Sequence, residues 1–271
     1  MLDRRATDLE VALRMAAAMN YYWRLLVTGG CFLAFSAGGF LFSAIVFPAM
    51  HLLPGGAQQR HRRVKWMIRK SFGLLVAVLR LAGVMRLEIS GMERLRGATA
   101  VLVLANHPSY IDIVVLLSLM PQATCVVKGG LWASPFFGGV VSAAGYIRNS
   151  TPEKVIEDCD RALDAGDAVI IFPEGTRSAP NEPLKFHRGA AHIALKSAKP
   201  IVPVLLQCEP PTLTKGSHWY QVPPRPFCFR VIVRGALSAY SLADVQQPPA
   251  IAARHLTSAL EGYFSDQLRV L

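Results

Sequence analysis

The feature that most constrains this fold is a long uncharged stretch near the amino terminus. Residues 25–59 contain no Asp, Glu, Lys or Arg, and residues 25–50 are apolar apart from small side chains. A helix needs about 20 apolar residues to cross a bilayer, and the apolar region of a signal peptide is usually shorter. The sequence therefore predicts a membrane-anchoring helix at 25–50, with a buried core helix and a cleaved signal peptide as the alternatives. Full crossing of the bilayer and insertion into one leaflet both remain open.

Basic residues follow this stretch and indicate its orientation. Six Lys or Arg and no acid lie between positions 60 and 70, whereas four Arg and three acids precede residue 25. The positive-inside rule therefore favours a cytoplasmic location for the rest of the chain. Attraction to anionic membrane lipids, at about 1 kcal/mol per basic residue near the surface, accounts for the formal net charge of +11. A nucleic-acid partner is not predicted, because the basic residues carry no RNA-binding or zinc-finger signature.

From residue 86 onward, short β-rich runs alternate with helical stretches. Such alternation is typical of a sheet with helices packed on it. The β-rich runs lie at 86–90, 99–105, 124–128, 168–172, 201–206 and 227–234, and the helical stretches near 110–120, 152–165, 188–198 and 249–271. We therefore divide the chain into a membrane-anchoring and interfacial helical region at 1–85 and an α/β domain with a C-terminal helix at 86–271.

The run from Asn106 to Asp112 carries a base and a carboxylate just after an apolar strand-like segment. A histidine oriented by a carboxylate can remove a proton from a hydroxyl. Pro108 favours a position for His107 in the loop before a helix, with Asp112 in the first turns of that helix. In the alternative interpretation Asp112 only caps the helix, since Ser109 three residues earlier gives a capping-box-like pattern. No Gly-x-Ser-x-Gly motif is present, so Ser109 is only a weak candidate nucleophile and the activated hydroxyl is expected to belong to a substrate.

A second polar turn, Phe-Pro-Glu-Gly-Thr-Arg-Ser at 172–178, follows a pattern typical of a buried strand. Pro173 ends the strand and Gly175 permits a tight loop. Arg177 can hold a phosphate through two parallel hydrogen bonds, a geometry that lysine lacks. Glu174 is expected to orient Arg177 or to accept a hydrogen bond from a glycerol hydroxyl. The alternative is a surface turn with a solvated ion pair.

Together, Asn-His-Pro-Ser-Tyr-Ile-Asp at 106–112 and the turn at 172–178 resemble the 1-acyl-glycerol-3-phosphate acyltransferase family. The resemblance covers roughly residues 86–235 and implies a mixed β-sheet flanked by helices. It implies that His107 is the base and that Asp112 orients it. The second turn, by the same resemblance, binds the phosphorylated acceptor through Glu174, Gly175, Thr176 and Arg177.

Further positions resemble the family less completely. Residues 145–149 (Gly-Tyr-Ile-Arg-Asn) stand in the place of the family's second block, but the stretch is shorter and lacks the acid. The resemblance assigns substrate contacts to Arg148 in this block, to Lys128, and to Pro203 in the run 200–206. The altered second block leaves the identity of the acceptor open.

The resemblance implies a membrane-bound O-acyltransferase that moves a fatty acyl group from acyl-CoA or acyl carrier protein to the free hydroxyl of a lysophospholipid. The expected acceptor is 1-acyl-sn-glycerol-3-phosphate, which gives phosphatidic acid. The alternatives are the same chemistry on a non-phosphate lipid such as a lyso-ornithine lipid, and a catalytically silent lipid-binding protein. We expect the catalytic domain at the cytoplasmic membrane, facing the cytoplasm. Neither a cofactor nor a metal is predicted, since the five cysteines are scattered and the histidines lack metal-ligand spacing.

Overall fold

The computed structural model describes residues 2–179, 182–243 and 246–271. Its strands are β1 (Met85–Ser90), β2 (Leu102–Ala105), β3 (Ala123–Lys128), β4 (Ile147–Asn149), β5 (Ala168–Ile171), β6 (Ile201–Glu209) and β7 (Phe227–Val233). In the described chain these seven strands form one sheet in the order β1-β7-β6-β2-β5-β3-β4. Neighbouring strands run parallel except β6 and β7, which are antiparallel. The expected mixed sheet is therefore confirmed.

The strands follow the predicted β-rich runs, with two differences. The run expected to begin at residue 99 becomes a strand only at Leu102, because the backbone of Ala100 turns with a positive φ of 54°. The strand β4 was not predicted, since its three residues are too few to show an alternating pattern. It adds an edge strand beside β3, in the block that carries Arg148.

The helices flank this sheet and precede it. They are α1 (Leu2–Leu41), α2 (Phe47–Ala49), α3 (Ala57–Leu81), α4 (Asp112–Leu119), α5 (Gly129–Trp132), α6 (Gly138–Ala143), α7 (Pro152–Asp164), α8 (Gly189–Ser197), α9 (Ala239–Leu242) and α10 (Pro249–Arg269). The four predicted helical stretches of the α/β domain correspond to α4, α7, α8 and α10. The short helices α5 and α6 were not predicted.

Each face of the sheet carries its own apolar core. Alternate residues of β6 point to opposite faces, as the period of a strand requires: Val204 packs on one side and Leu205 on the other. The first face is covered by α3 and α4 and the second by α7, α8 and α10. Since β2 lies at the centre of the sheet, both of its faces are buried. The loop after β2 therefore starts from a rigid support.

The anchor predicted at 25–50 begins in α1 and continues through a π-helical turn (Phe42–Val46) into α2; α1 pairs with α3 and leaves a broad apolar surface exposed. Within the described residues, 13–52 is the one helical stretch long and apolar enough to cross a membrane by length and composition, and only 17% of its most apolar window is buried. The Trp23 indole N–H donates to the Ala82 carbonyl at 2.9 Å. Large apolar side chains are exposed on both helices at Leu26, Leu33, Phe40, Trp66, Leu74 and Leu81.

One basic residue of the predicted lipid-facing cluster is instead buried. Lys65 is 6% exposed, and its ammonium donates to Thr124 Oγ1 at 2.6 Å and to Asp167 Oδ2 at 2.5 Å. Thr124 lies in β3 and Asp167 just before β5. The pair therefore attaches α3 to the sheet, and the charge of Lys65 is not directed at lipid headgroups.

We expect Asp167→Asn to destabilise the chain by about 3 kcal/mol, because it leaves the ammonium of Lys65 buried without an anion. Chemical denaturation of the full chain, followed by circular dichroism, measures this loss. Asp266→Asn is the matched control, since the Asp266 side chain is 75% exposed. An Asp167→Asn midpoint indistinguishable from that of the control would contradict a stabilising role for the buried pair.

Candidate functional site

His107 leaves the sheet at the carboxyl end of β2. The preceding residue, Asn106, is held by two hydrogen bonds to the backbone of Leu206: its amide donates to the carbonyl and its side-chain oxygen accepts from the N–H, both at 2.8 Å. The His107 ring stacks on Phe172, with 4.1 Å between centroids and 19° between planes. The histidine side chain is 19% exposed, so it is fixed in place and still accessible.

Asp112 is the first residue of α4 and is fully buried. Its Oδ2 lies 2.7 Å from His107 Nδ1 and accepts the Ser109 N–H at 2.9 Å. The carboxylate therefore contacts the histidine ring and also holds the backbone of the loop before α4, whereas the N-cap of α4, Ile111, has no side-chain cap. An Nδ1–H donated to Asp112 leaves Nε2 of His107 as the acceptor for a proton. Burial raises the pKa of Asp112 to about 6, while the hydrogen bond from His107 acts in the opposite direction.

The second turn holds the backbone of His107 on both sides. Glu174 Oε1 accepts the His107 N–H at 2.8 Å and the Ser178 hydroxyl at 3.0 Å. The Ser178 N–H in turn donates to the His107 carbonyl at 2.7 Å. Glu174 is 7% exposed, and burial raises the pKa of its carboxyl. The structure thus gives Glu174 the backbone of His107 as its partner, where the sequence suggested the side chain of Arg177.

Arg177 is oriented by the loop between β6 and β7, residues 210–226. One of its terminal nitrogens, Nη1, donates to the carbonyls of Leu213 and Thr214, each at 2.8 Å. The guanidinium carbon lies 5.5 Å from the centre of the Tyr110 ring, within the range of a cation–π contact. The guanidinium is half-buried and is fixed beside Tyr110, which lies between His107 and Asp112 in the chain.

Gly175 gives the second turn its sharp bend. Its φ is +65°, a left-handed conformation that glycine adopts without the penalty of a Cβ. An added Cβ would also meet Cδ2 of His187 at 3.1 Å. Thr176 follows as a half-buried residue of the same turn. The turn therefore brings Glu174 and Arg177, which lie three residues apart, to their separate partners.

The remaining predicted residues lie elsewhere on the sheet. Lys128 ends β3 and Arg148 lies in β4, both exposed at the same carboxyl edge as His107. At about 4.8 Å per strand, these strands are two and three positions from β2. Pro203 is buried inside β6, in register with Leu104. The structure thus groups His107, Asp112, Glu174 and Arg177, and places Lys128 and Arg148 further along the edge and Pro203 within the sheet.

Ser109 has a structural position. It is fully buried, and its hydroxyl donates to the Thr212 carbonyl at 2.8 Å. The same residue gives its backbone N–H to Asp112. Both donors of Ser109 are therefore occupied, which argues against a role as the nucleophile of a hydrolase.

A largely apolar cavity that was not predicted borders the loop between His107 and Asp112. Between α1 and the sheet, it is lined by Tyr110 and Ile111 from the histidine loop, by Thr212 and Leu213 from the loop at 210–226, and by side chains of α1 and α3. Neither α1 nor the loop at 210–226 carries a family motif that would have indicated this contribution. Their part in the site depends on contacts between distant parts of the chain.

Several known proteins are similar to this chain in sequence. Residues 86–207 match the family model described as Acyltransferase. A chloroplastic 1-acyl-sn-glycerol-3-phosphate acyltransferase of Brassica napus is 31% identical over 137 residues, which cover 48% of this chain and 40% of that protein. A 1-acyl-sn-glycerol-3-phosphate acyltransferase of Pseudomonas aeruginosa is 26% identical over 245 residues, which cover 88% of each chain.

The fold is also similar to a solved structure. The crystal structure of the LPA acyltransferase PlsC from Thermotoga maritima superposes with a TM-score of 0.65 and 18% sequence identity, covering 90% of this chain and 97% of that one. The chain spans about 40% of the length of the curated relatives that it matches first. The family match contains every predicted site residue and does not include α1 or α3.

Proposed function

Because residues 86–207 match the acyltransferase family model, we propose that this chain is a member of that family and that it transfers a fatty acyl group from a thioester to the free hydroxyl of a lysophospholipid. The contact between His107 Nδ1 and Asp112 Oδ2, at 2.7 Å, carries this proposal. It leaves Nε2 of a fixed and accessible imidazole as a base. No enzyme nucleophile is required, because the acceptor hydroxyl takes that role.

The reaction proceeds by direct attack. Nε2 of His107 removes the proton of the acceptor hydroxyl as its oxygen bonds to the thioester carbon. Asp112 stabilises the imidazolium that forms. The tetrahedral intermediate then breaks its carbon–sulfur bond, and the thiolate takes the proton back from the imidazolium. The products are an ester and a thiol, and His107 returns to its neutral form.

The proposed acceptor is 1-acyl-sn-glycerol-3-phosphate and the product phosphatidic acid, with acyl-CoA or acyl carrier protein as the donor. The names of the Brassica and Pseudomonas relatives support this acceptor. Arg177, oriented beside the histidine loop, suits the phosphate of this acceptor, and Lys128 and Arg148 lie further along the same edge of the sheet. In this scheme Glu174 positions His107, and Gly175 and Thr176 shape the turn.

We also propose that α1 and α3 attach the chain to the cytoplasmic membrane, with the catalytic domain facing the cytoplasm. Their exposed apolar side chains support this attachment, because an amphipathic surface binds lipid in proportion to the apolar area that it buries. Attachment places the active site next to lipid substrates, which partition into the bilayer.

A panel of acceptors tests the proposed substrate. The purified chain receives one labelled acyl donor together with lysophosphatidate, a lyso-ornithine lipid or a neutral monoacylglycerol. We expect kcat/KM to be highest for lysophosphatidate. Equal or better use of the lyso-ornithine lipid would instead favour acyl transfer to a non-phosphate lipid. The shortened block at 145–149 is the observation that favours this second function.

A further inference from the structure

Arg24 is a buried cation outside the family motifs. It lies in α1 and is 4% exposed, with one Nη2 hydrogen bond of 2.7 Å to the Pro224 carbonyl. Its Nε is buried without a hydrogen-bond partner, and Arg24 forms no ion pair within the part of the chain that the structure describes. A buried charge is costly unless an anion compensates it. The unused N–H therefore indicates a ligand that carries negative charge.

The cavity beside Arg24 is almost entirely apolar, and α1 contributes Arg24 and Thr28 as polar side chains at one end of it. Arg24, Thr28, Cys31 and Phe35 all line this cavity, and their spacing of four, three and four residues places them on one side of a helix. Arg24 and Thr28 form the polar end and Phe35 lies at the apolar end. Such a gradient fits an amphiphile whose anionic head lies at Arg24 and whose tail extends toward Phe35.

The apolar end continues into a second cavity between α1 and α3. The two cavities share Cys31, Phe35 and Leu75. The second is also lined by Leu26 and Leu74, which are 68% and 67% exposed on the surface that we assign to the membrane. An alkyl chain lying along α1 therefore has a continuous apolar path from the lipid-facing surface to Arg24.

The cavity also borders the loop that carries the catalytic pair. The cavity that contains Arg24 is lined by Tyr110 and Ile111, which lie between His107 and Asp112 in the chain. The nearby Arg177 uses Nη1 on two loop carbonyls, whereas Nε of Arg24 has no such partner. Arg24 can therefore hold the head of a lipid whose hydroxyl is close to the histidine.

We propose that Arg24, with Thr28 beside it, binds the anionic head of the acceptor lipid, and that the cleft between α1 and α3 holds its single alkyl chain. This inference rests on the proposed acyltransferase function and adds a substrate-binding residue to its site. The ligand class is a single-chain amphiphile with a phosphate or carboxylate head. The acyl chain of the donor is the less suitable occupant, because it carries no anion to compensate Arg24.

Binding of short amphiphiles to the full chain, reconstituted in nanodiscs of zwitterionic lipid, tests this inference. The probes are dodecyl phosphate, dodecanoate and the neutral 1-dodecylglycerol, titrated by isothermal calorimetry without any acyl donor. We expect Arg24→Met to weaken the binding of dodecyl phosphate about tenfold or more. The affinity for 1-dodecylglycerol should change less than about twofold. A similar loss of affinity for dodecanoate would show that the site accepts a carboxylate as well as a phosphate. A loss of affinity for dodecyl phosphate alone would show that the site is specific for phosphate.

Two further variants separate charge from folding. Arg24→Lys keeps a cation in the cavity and is expected to retain most of the binding of dodecyl phosphate. Arg80→Met removes a charge from the exposed side of α3 and is expected to leave all three titrations unchanged. If Arg24→Met fails to fold, binding of dodecyl phosphate by Arg24→Lys close to that of wild type supports the proposal, and a complete loss overturns it.

Several outcomes would overturn the inference. Equal weakening of charged and neutral probes by Arg24→Met would show that Arg24 only supports the loop at Pro224. Unchanged binding of all three probes by Arg24→Met would show that Arg24 does not contact the lipid. An effect on the KM of the acyl donor alone would assign the cavity to the donor chain. Because the titrations need no turnover, a chain that binds these anions through Arg24 but does not acylate lysophosphatidate would refute only the proposed function.

Discussion

Replacing His107 with alanine is expected to reduce kcat for acyl transfer to lysophosphatidate by at least about 10²-fold, the usual contribution of a positioned general base. The reason is geometric. The imidazole is stacked on Phe172, hydrogen-bonded to Asp112, and held at its backbone by Glu174 and Ser178. Alanine at position 107 therefore removes the base from the end of β2. Initial rates with the purified chain and a labelled acyl donor measure the loss.

His255→Ala is the matched control, because His255 is an exposed histidine on α10. It should retain the wild-type rate. Thermal unfolding of both variants verifies that the alanine at position 107 removes a base and leaves the fold intact. A His107→Ala chain with wild-type activity would show that the protein is a lipid-binding relic of the family or that another group is the base.

Asp112→Asn is expected to lower kcat by about 10²- to 10⁴-fold without lowering stability. The asparagine oxygen can still accept from His107 and Ser109, since both hydrogen bonds go to Oδ2. Oδ1 of Asp112 is buried and has no hydrogen-bond partner among the described residues. The hydrogen-bonded geometry therefore survives, while the negative charge that stabilises the imidazolium is lost.

The pH dependence of stability follows from the same burial. The pKa of Asp112 is raised in the folded chain to about 6, so folding favours the protonated carboxyl. The stability from this group is present below the pKa of the unfolded chain, about 4, and is lost as the pH rises through 6. At pH 8 we expect Asp112→Asn to unfold with a free energy about 1–3 kcal/mol higher than wild type.

Denaturation curves of both chains at pH 4 and pH 8 measure this difference. The gap should be small at pH 4, where the carboxyl is protonated in the folded chain and about half protonated in the unfolded chain, and largest at pH 8. A variant less stable than wild type at pH 8 would show that the carboxylate stabilises the fold.

Short-range patterns were sufficient to predict much of the site. Pro108 and the apolar strand before it place His107 in a loop and Asp112 at a helix start, and the structure has both there. His107 and Asp112 are only five positions apart, so their pairing could be predicted from the local sequence. The strands with four or more residues were likewise visible, because alternation or a continuous apolar run shows in the sequence alone.

The rest depends on contacts between distant residues, which local patterns do not contain. Glu174 meets the backbone of His107 from 67 positions away, and Lys65 meets Asp167 from 102 positions away. Arg24 lies 200 positions from Pro224. In each case the residue type indicated a charge, and only the fold determined whether that charge faces a lipid, a substrate or another side chain.

Intact-mass spectrometry tests the account most directly. The purified chain is mixed with acyl thioester in the absence of an acceptor, and lysophosphatidate is added after the mass has been recorded. Direct transfer with His107 as the base predicts an unmodified protein mass before the addition and acylated lipid from the first turnover onward. An acyl–protein adduct that forms at the rate of turnover and passes its acyl group to the lipid would contradict it.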